Sequence, residues 1–204
     1  MYIDTIIENL KDMLTERGDN IDEFEEHERE IDRDEFTSDN KIIEFHTSNT
    51  TIIFAMTKKL RKNILDELKM YQDDITKFVE KYNNKKNIIL IFNNNIISAP
   101  ILQQLSKYDK MLQKNNGILQ YFYCKQLLFN PTKHEYVPKH TKITSQDDIN
   151  LILEKYLVKS KLQLPYILNS DIIAKWLGLK QGDIVKIDRY NPNSGVYYYY
   201  RCCI

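Results

Sequence analysis

The sequence predicts an α/β domain, a mixed sheet flanked by helices, over residues 1–125, followed by a small α+β domain over residues 126–204. Three observations predict it. From Thr50 to Cys124 the apolar pattern runs strand, helix, strand, helix, strand. Asn130-Pro131-Thr132 then interrupts that order. The charge changes sign at the same place: residues 1–124 hold 17 Lys/Arg against 22 Asp/Glu, and residues 125–204 hold 12 against 7.

Ile3, Ile6, Ile7, Leu10, Met13 and Leu14 recur at helical spacing, with Gly18 as the stop. Asp19–Glu35 carries ten acids against Arg29 and Arg33, and only Ile21, Phe24 and Ile31 are apolar anchors within the helical stretch. It reads as a solvated helix or a mobile loop, and it repels DNA phosphates. Lys41–His46 and Thr50–Met56 are β-branched and aromatic, so a hairpin turns at Thr47-Ser48-Asn49. Leu60, Ile64, Leu68, Tyr71, Ile75, Phe78 and Tyr82 step by three or four, predicting one long helix that Asn83-Asn84 breaks. The apolar run Asn87–Phe92 predicts a strand buried on both faces. Asn93-Asn94-Asn95 is a loop, and Ser98–Leu112 a helix with Leu102, Leu105 and Leu112 inward. Asn115-Asn116-Gly117 ends that helix, and Ile118–Cys124 is a further strand.

In the second domain an extended stretch through Val137-Pro138 leads to a helix. Ser145, three residues ahead of Asp148, forms a capping-box variant, and Ile149, Ile152, Leu153, Tyr156 and Leu157 make the apolar stripe. Leu164-Pro165 breaks the chain. Asn169-Ser170-Asp171 offers caps for a short helix, Ile172–Leu177, with Gly178 at the left-handed position beyond it. Gly182-Asp183 turns into the strand Ile184–Ile187. Asn191-Pro192-Asn193-Ser194-Gly195 is a hairpin loop, and Val196–Cys203 returns as a tyrosine-rich strand.

Composition excludes several classes. Cys124, Cys202 and Cys203 are odd in number and two are adjacent, which fits no disulfide framework and points to a reducing compartment. No apolar run reaches the length of a membrane span, and Met1–Leu10 lacks the basic start of a signal peptide. With five glycines in all there is no phosphate-cradling loop. His134, Glu135 and His140 match no common zinc spacing, so no metal or cofactor is expected. Glu67-Leu68-Lys69 has the Glu-x-Lys of some nucleases, but mid-helix the two side chains diverge by about 200°. Cys202 and Cys203 should face opposite sides of their strand, and so should alternate members of Tyr197–Tyr200, two packing inward and two meeting a partner. No catalytic residue is expected.

Five blocks carry a resemblance. They are His134-Glu135-Tyr136-Val137-Pro138-Lys139-His140, Gln163-Leu164-Pro165, Ser170-Asp171, the run from Ala174 to Ile187, and Tyr200-Arg201. In order and spacing they resemble the C-terminal assembly domain of the jaw subunit shared by eukaryotic nuclear RNA polymerases I, II and III, a family that includes the H subunit of the archaeal RNA polymerase. Tyr166, Ile172 and Arg189-Tyr190-Asn191-Pro192 depart from the family's usual residues. The composition, rich in Asn, Ile, Lys and Tyr, looks like that of a large-DNA-virus member.

The resemblance implies a non-catalytic subunit of a multisubunit DNA-directed RNA polymerase, with an N-terminal jaw domain and a C-terminal assembly domain. It implies docking on the largest subunit through His134, Pro138, His140, Pro165, Gly178, Lys180, Gly182, Lys186, Arg189, Tyr200 and Arg201. Other polymerase subunits would be partners too, and no membrane. It also implies a loop near downstream duplex DNA, with Asn94, Asn95, Ser98 and Pro100, making weak contact without base specificity. The location would be the nucleus in a cell, or host cytoplasm, virus factory and virion for a virus. The alternative is a free-standing DNA-binding or transcription-regulatory module that reuses the fold.

Overall fold

Apolar side chains at positions 3, 6, 7, 10, 13 and 14 share one face of a helix, and in the computed structural model all six are buried on α1 (Ile3–Glu16). The structure describes residues 2–38, 41–71, 73–82, 85–93, 97–193 and 195–204. The expected helix break at Asn83-Asn84 lies outside the described residues. Among the described residues the chain is mixed α/β with two four-stranded sheets, one in each of two compact units, Met1–Phe129 and Asn130–Ile204.

The acidic segment after α1 resolves in favour of a helix, α2 (Asp22–Glu30). It is not simply solvated, because Phe24 is fully buried and stacks on Phe45 at 4.4 Å between ring centres. Phe36, beyond it, meets Phe54 edge-on at 5.0 Å. A few aromatic anchors thus hold a charged helix whose propensity alone would leave it loose. The hairpin follows as expected, β1 (Ile43–His46) antiparallel to β2 (Thr50–Ala55). Its turn is fastened by one carboxylate: Asp19 accepts from Thr47 Oγ1 at 3.0 Å, Thr50 Oγ1 at 2.5 Å and Asn49 Nδ2 at 3.2 Å. Thr47 and Thr50 are fully buried, so those bonds satisfy hydroxyls that water cannot reach.

The single long helix expected over Leu60–Tyr82 is two helices, α3 (Lys58–Met70) and α4 (Thr76–Lys81). The cause is Asp74, whose carboxylate accepts from the backbone N–H and the hydroxyl of Thr76 and starts a new helix. The apolar face survives the break, since Leu60, Ile64, Leu68, Ile75, Phe78 and Tyr82 all enter one core. Next come β3 (Asn87–Phe92), α5 (Ala99–Lys114) and β4 (Ile118–Tyr123). β3 runs parallel to both neighbours in the order β1-β2-β3-β4, and five of its six residues are buried. That explains its unbroken apolar run. On α5, Leu105, Tyr108 and Leu112 are buried, and Leu102 is half-buried against the same core, so it faces inward as expected with Tyr108 added to the set.

In the second unit His134–Pro138 is a turn rather than an extended lead, and Tyr136 at its tip is 84% exposed. The strand begins after it: β5 (Lys139–Ile143) is followed by α6 (Gln146–Lys155), β6 (Tyr166–Ile167), α7 (Ile172–Trp176), β7 (Ile184–Asn191) and β8 (Gly195–Cys203). β6 had no signal of its own, being two residues beyond a proline. The sheet order is β5-β7-β8-β6, with β7 antiparallel to β5 and β8 and β6 parallel to β8. α6 covers one face, where Ile149, Ile152, Leu164, Ile184 and Cys202 form a core. The other face packs Ile167, Ala174, Leu179, Val185 and Cys203. The adjacent cysteines therefore do point to opposite faces.

Four helices end alike. α1, α5, α6 and α7 each close with the N–H of the second residue past the cap donating to the carbonyl three residues inside it. The left-handed residue is Gly18, Asn116 and Gly178 in three of them. In α6 it is Leu157, with φ 53° and 93% of its surface exposed. The apolar stripe expected to reach Leu157 therefore stops earlier, and Tyr156 as the cap is itself 42% exposed.

Candidate partner and nucleic-acid interfaces

The candidate anchoring residues sit on a turn system and on two faces of a sheet. The turn begins at α7, where Asp171 Oδ1 accepts from Ile173 N at 2.8 Å. Gly178, with φ 60°, closes the helix by letting Leu179 N reach Ala174 O at 2.9 Å. Its own carbonyl accepts from Lys142 Nζ at 3.3 Å. Lys142 also pairs with Asp183 at 2.6 Å, and the same Asp183 oxygen accepts from Lys180 N at 2.7 Å. Gly182, with φ 87°, directs its N–H to Cys203 O at 2.9 Å. Two left-handed residues and one shared carboxylate thus fix the α7–β7 connection, conformations that a β-branched residue resists.

Pairing on β7 and β8 is one-to-one from Ile184↔Cys202 to Asn191↔Gly195, so the parity of each position sets its face. Lys186, Asp188, Tyr198 and Tyr200 lie on the α6 face. Lys186 Nζ stands 4.5 Å from the Tyr198 ring centre and 3.3 Å from Asp188, and Tyr156 meets Tyr200 edge-on at 5.7 Å. His140, Arg189, Tyr199 and Arg201 lie on the opposite face. The Tyr199 ring is flanked by Arg189 at 5.0 Å and Arg201 at 5.6 Å. Arg201 Nη1 also donates to Tyr166 O at 3.2 Å. His140 Nδ1 donates to Pro138 O at 2.6 Å, and burial pushes this imidazole below its ordinary pKa, against the opposing pull of that bond and Asp171. The resemblance-derived set is therefore not one flat patch: sheet parity divides it.

Two members stand apart. His134 is in the exposed turn, accepting from Tyr136 N at 3.3 Å, and Pro165 is exposed with its carbonyl accepting from Cys202 N at 2.8 Å. The tyrosines also differ from expectation. None of Tyr197–Tyr200 is fully buried; Tyr197 and Tyr198 are 41% and 49% exposed. The two helices cover the end of the sheet that holds the cysteines, and the tyrosine rows extend past them.

In the first unit, Asn94 and Asn95 of the expected DNA-proximal loop lie outside the described residues. Ser98 is the exposed N-cap of α5, where its hydroxyl does not cap the helix, and Pro100 is exposed in the first turn. Ala55, Phe92 and Tyr123 align across the sheet, so β2, β3 and β4 all end on the same edge. α3 starts three residues after β2, which brings its first turns to that edge as well. Those turns carry Lys58, Lys59, Arg61 and Lys62, with none of the acids that usually occupy a helix start. These cations were not among the sequence candidates. The signal was available: in parallel α/β sheets ligands meet the carboxyl ends of the strands. Glu67 and Lys69 diverge as expected, Glu67 toward Lys81 and Tyr82, Lys69 toward Asp66 at 3.0 Å.

Residues 129–203 match the family described as RNA polymerase Rpb5, C-terminal domain. Over 76 residues the chain is 47% identical to DNA-directed RNA polymerase subunit Rpo5 of Pyrococcus horikoshii, a span that is 37% of this chain and 90% of the archaeal one. The figures for subunit Rpo5 of Pyrococcus abyssi are the same. A longer likeness joins the chain to DNA-directed RNA polymerases I, II, and III subunit rpabc1 of Dictyostelium discoideum: 29% identity over 185 residues, 87% of this chain and 86% of that one.

Proposed function

The chain belongs to the Rpb5 family of DNA-directed RNA polymerase subunits, and from that premise we propose that Asn130–Ile204 is an assembly domain seated on the largest subunit while Met1–Phe129 is a jaw flanking downstream duplex DNA. It is a non-catalytic polymerase subunit, acting with the other subunits of the enzyme in nucleus or cytoplasm. The anchoring surface comprises the Gly178–Gly182 turn with Lys180, the Lys186–Tyr200 and Arg189–Arg201 faces, His140 with Pro138, and the outlying His134 and Pro165. Composition supports a large-DNA-virus copy, working in host cytoplasm, virus factory or virion.

One observation carries the DNA half of this reading. Lys58, Lys59, Arg61 and Lys62 crowd a helix N-terminus, which already bears about half a positive charge. Cations there oppose the dipole and one another, at a cost of some tenths of a kcal/mol each. Duplex phosphates relieve that cost, and Ser98 and Pro100, at the start of α5, lie beyond the same ends of the strands. Such contact is to phosphate and reads no bases.

The test uses polymerase assembled with the wild-type chain or with Lys58, Lys59, Arg61 and Lys62 all changed to Gln. Log affinity for duplex DNA against log salt should flatten by roughly one unit for each phosphate that the variant no longer neutralises. Identical slopes would remove DNA flanking from the reading. Recovery of the tagged chain without the polymerase large subunits would remove the anchoring.

A further inference from the structure

β8 is covered along only part of its outer side. β6 reaches just Cys202 and Cys203. Cys202 N and Ile204 N donate outward to Pro165 O and Ile167 O, whereas Cys203 N donates inward to Asp183 O. Because the β7–β8 ladder has no bulge, the same parity continues down the strand. The N–H and C=O groups of Tyr200, Tyr198 and Val196 therefore face outward, past the end of β6. Among the described residues no strand pairs with them, and Tyr156 Oη, donating to Tyr198 O at 3.4 Å, is the neighbour that touches this row. Isolated proteins usually blunt such an edge with Lys, Pro or a bulge. The stretch Gly195–Tyr200 has none of the three.

We propose that the outer edge of β8 from Val196 to Tyr200 is a strand-addition site, occupied by an extended segment of another polymerase subunit that alternates acidic and apolar side chains. This rests on the polymerase reading above and specifies how the anchoring occurs. An added strand lies about 4.8 Å from β8 and alternates its side chains between the same two faces. On one face it meets Arg201 and Arg189, which flank Tyr199 and pair with no carboxylate among the described residues. Arg201 Nε is buried there with no hydrogen-bond partner among the described residues. An Asp or Glu in the incoming strand answers that charge. On the other face it meets Tyr198 and Tyr200, with Lys186 already neutralised by Asp188, so an apolar residue fits.

The experiment is co-purification of polymerase large subunits with the tagged full-length chain, as wild type, Tyr198→Pro and Tyr198→Val. Proline deletes an N–H that the β7 ladder does not use, while valine keeps it and removes the ring. Y198P should lower recovery at least tenfold and Y198V less than threefold. Wild-type recovery by Y198P, or equal losses in both, would overturn strand addition. Hydrogen exchange decides independently of any variant: segment 195–201 should exchange at least tenfold more slowly in polymerase than in the free chain, and unchanged rates overturn the site. A free chain that sediments as a dimer, and as a monomer after Y198P, would assign the edge to a second copy and overturn the proposal. Failure of the wild type to retain polymerase would instead bring down the reading on which the site rests.

Discussion

The two units spend their apolar residues differently. In Met1–Phe129 a parallel strand lies inside its sheet with α3, α4 and α5 packed into one large core. In Asn130–Ile204 the sheet is covered at one end only, and each face owns a small core. Of the fifteen large apolar side chains exposed among the described residues, eleven lie in this second, smaller unit. The second unit therefore leaves far more apolar side chain in water than the first. The contrast teaches that one unit buries its apolar residues in its own interior while the other keeps many at the surface, where the proposed anchoring would cover them.

The largest effect should come from removing core. Phe92→Ala in the first unit and Leu179→Ala in the second each delete a fully or nearly fully buried side chain, costing about 3–5 and about 2–5 kcal/mol. Trp176, the only tryptophan, reports the second unit by fluorescence. Urea titration should show that transition shifted strongly by Leu179→Ala and barely by Phe92→Ala; equal shifts would mean the units do not unfold separately. Next in size is Lys175, buried in α7, whose ammonium burial pushes down to about 8. A folded pKa below the unfolded one means the unfolded chain holds more protons between pH 8 and the ordinary lysine range. Wild-type stability should rise with pH through that window. Lys175→Met should remove the slope and stabilise the unit at pH 7 by on the order of 1–3 kcal/mol, measured by the same titration.

Gly182→Val follows. A Cβ there would meet nothing within 4 Å, so a loss of about 1–2 kcal/mol is assigned to the left-handed backbone. Gly182→Ala should cost nearly as much, and a cost confined to valine would point to sterics instead. The smallest effect has the opposite sign. Leu157→Gly relieves a left-handed leucine and should stabilise the free chain by up to about 1 kcal/mol in thermal unfolding. If that leucine serves the partner surface, the stabilised variant should be recovered less well with polymerase.

Most elements were legible in the sequence because local chemistry dictates them. The hairpin at Thr47-Ser48-Asn49, the buried strand Asn87–Phe92 and the cap–glycine pair around α7 each carry their cause within a few residues. The long-helix expectation failed since periodicity reports which face is buried, and that face continues across the break at Asp74. Burial of the tyrosines failed for a longer-range reason. Alternation predicted their faces, but how far α6 and α7 extend over the sheet depends on packing that no local pattern encodes. The division of Lys186 from Arg189 follows from parity along one strand, whereas the face of Arg201 is set by the β7–β8 register, which only the structure gives. The Lys58–Lys62 run was not recognised, because its significance appears only when β2, β3 and β4 are seen to end together.

The unbulged ladder between β7 and β8 has a consequence for alignment. Four consecutive tyrosines are nearly interchangeable, so sliding by two positions would leave their chemistry almost unaltered. What discriminates among registers is the pair of thiols, each sunk in a different interior, together with the left-handed Gly195 that begins the return strand. A single residue gained or lost between Asn191 and Gly195 would force a choice: keep the thiols seated and absorb the change in the bend, or shift the strand and exchange the two surfaces wholesale.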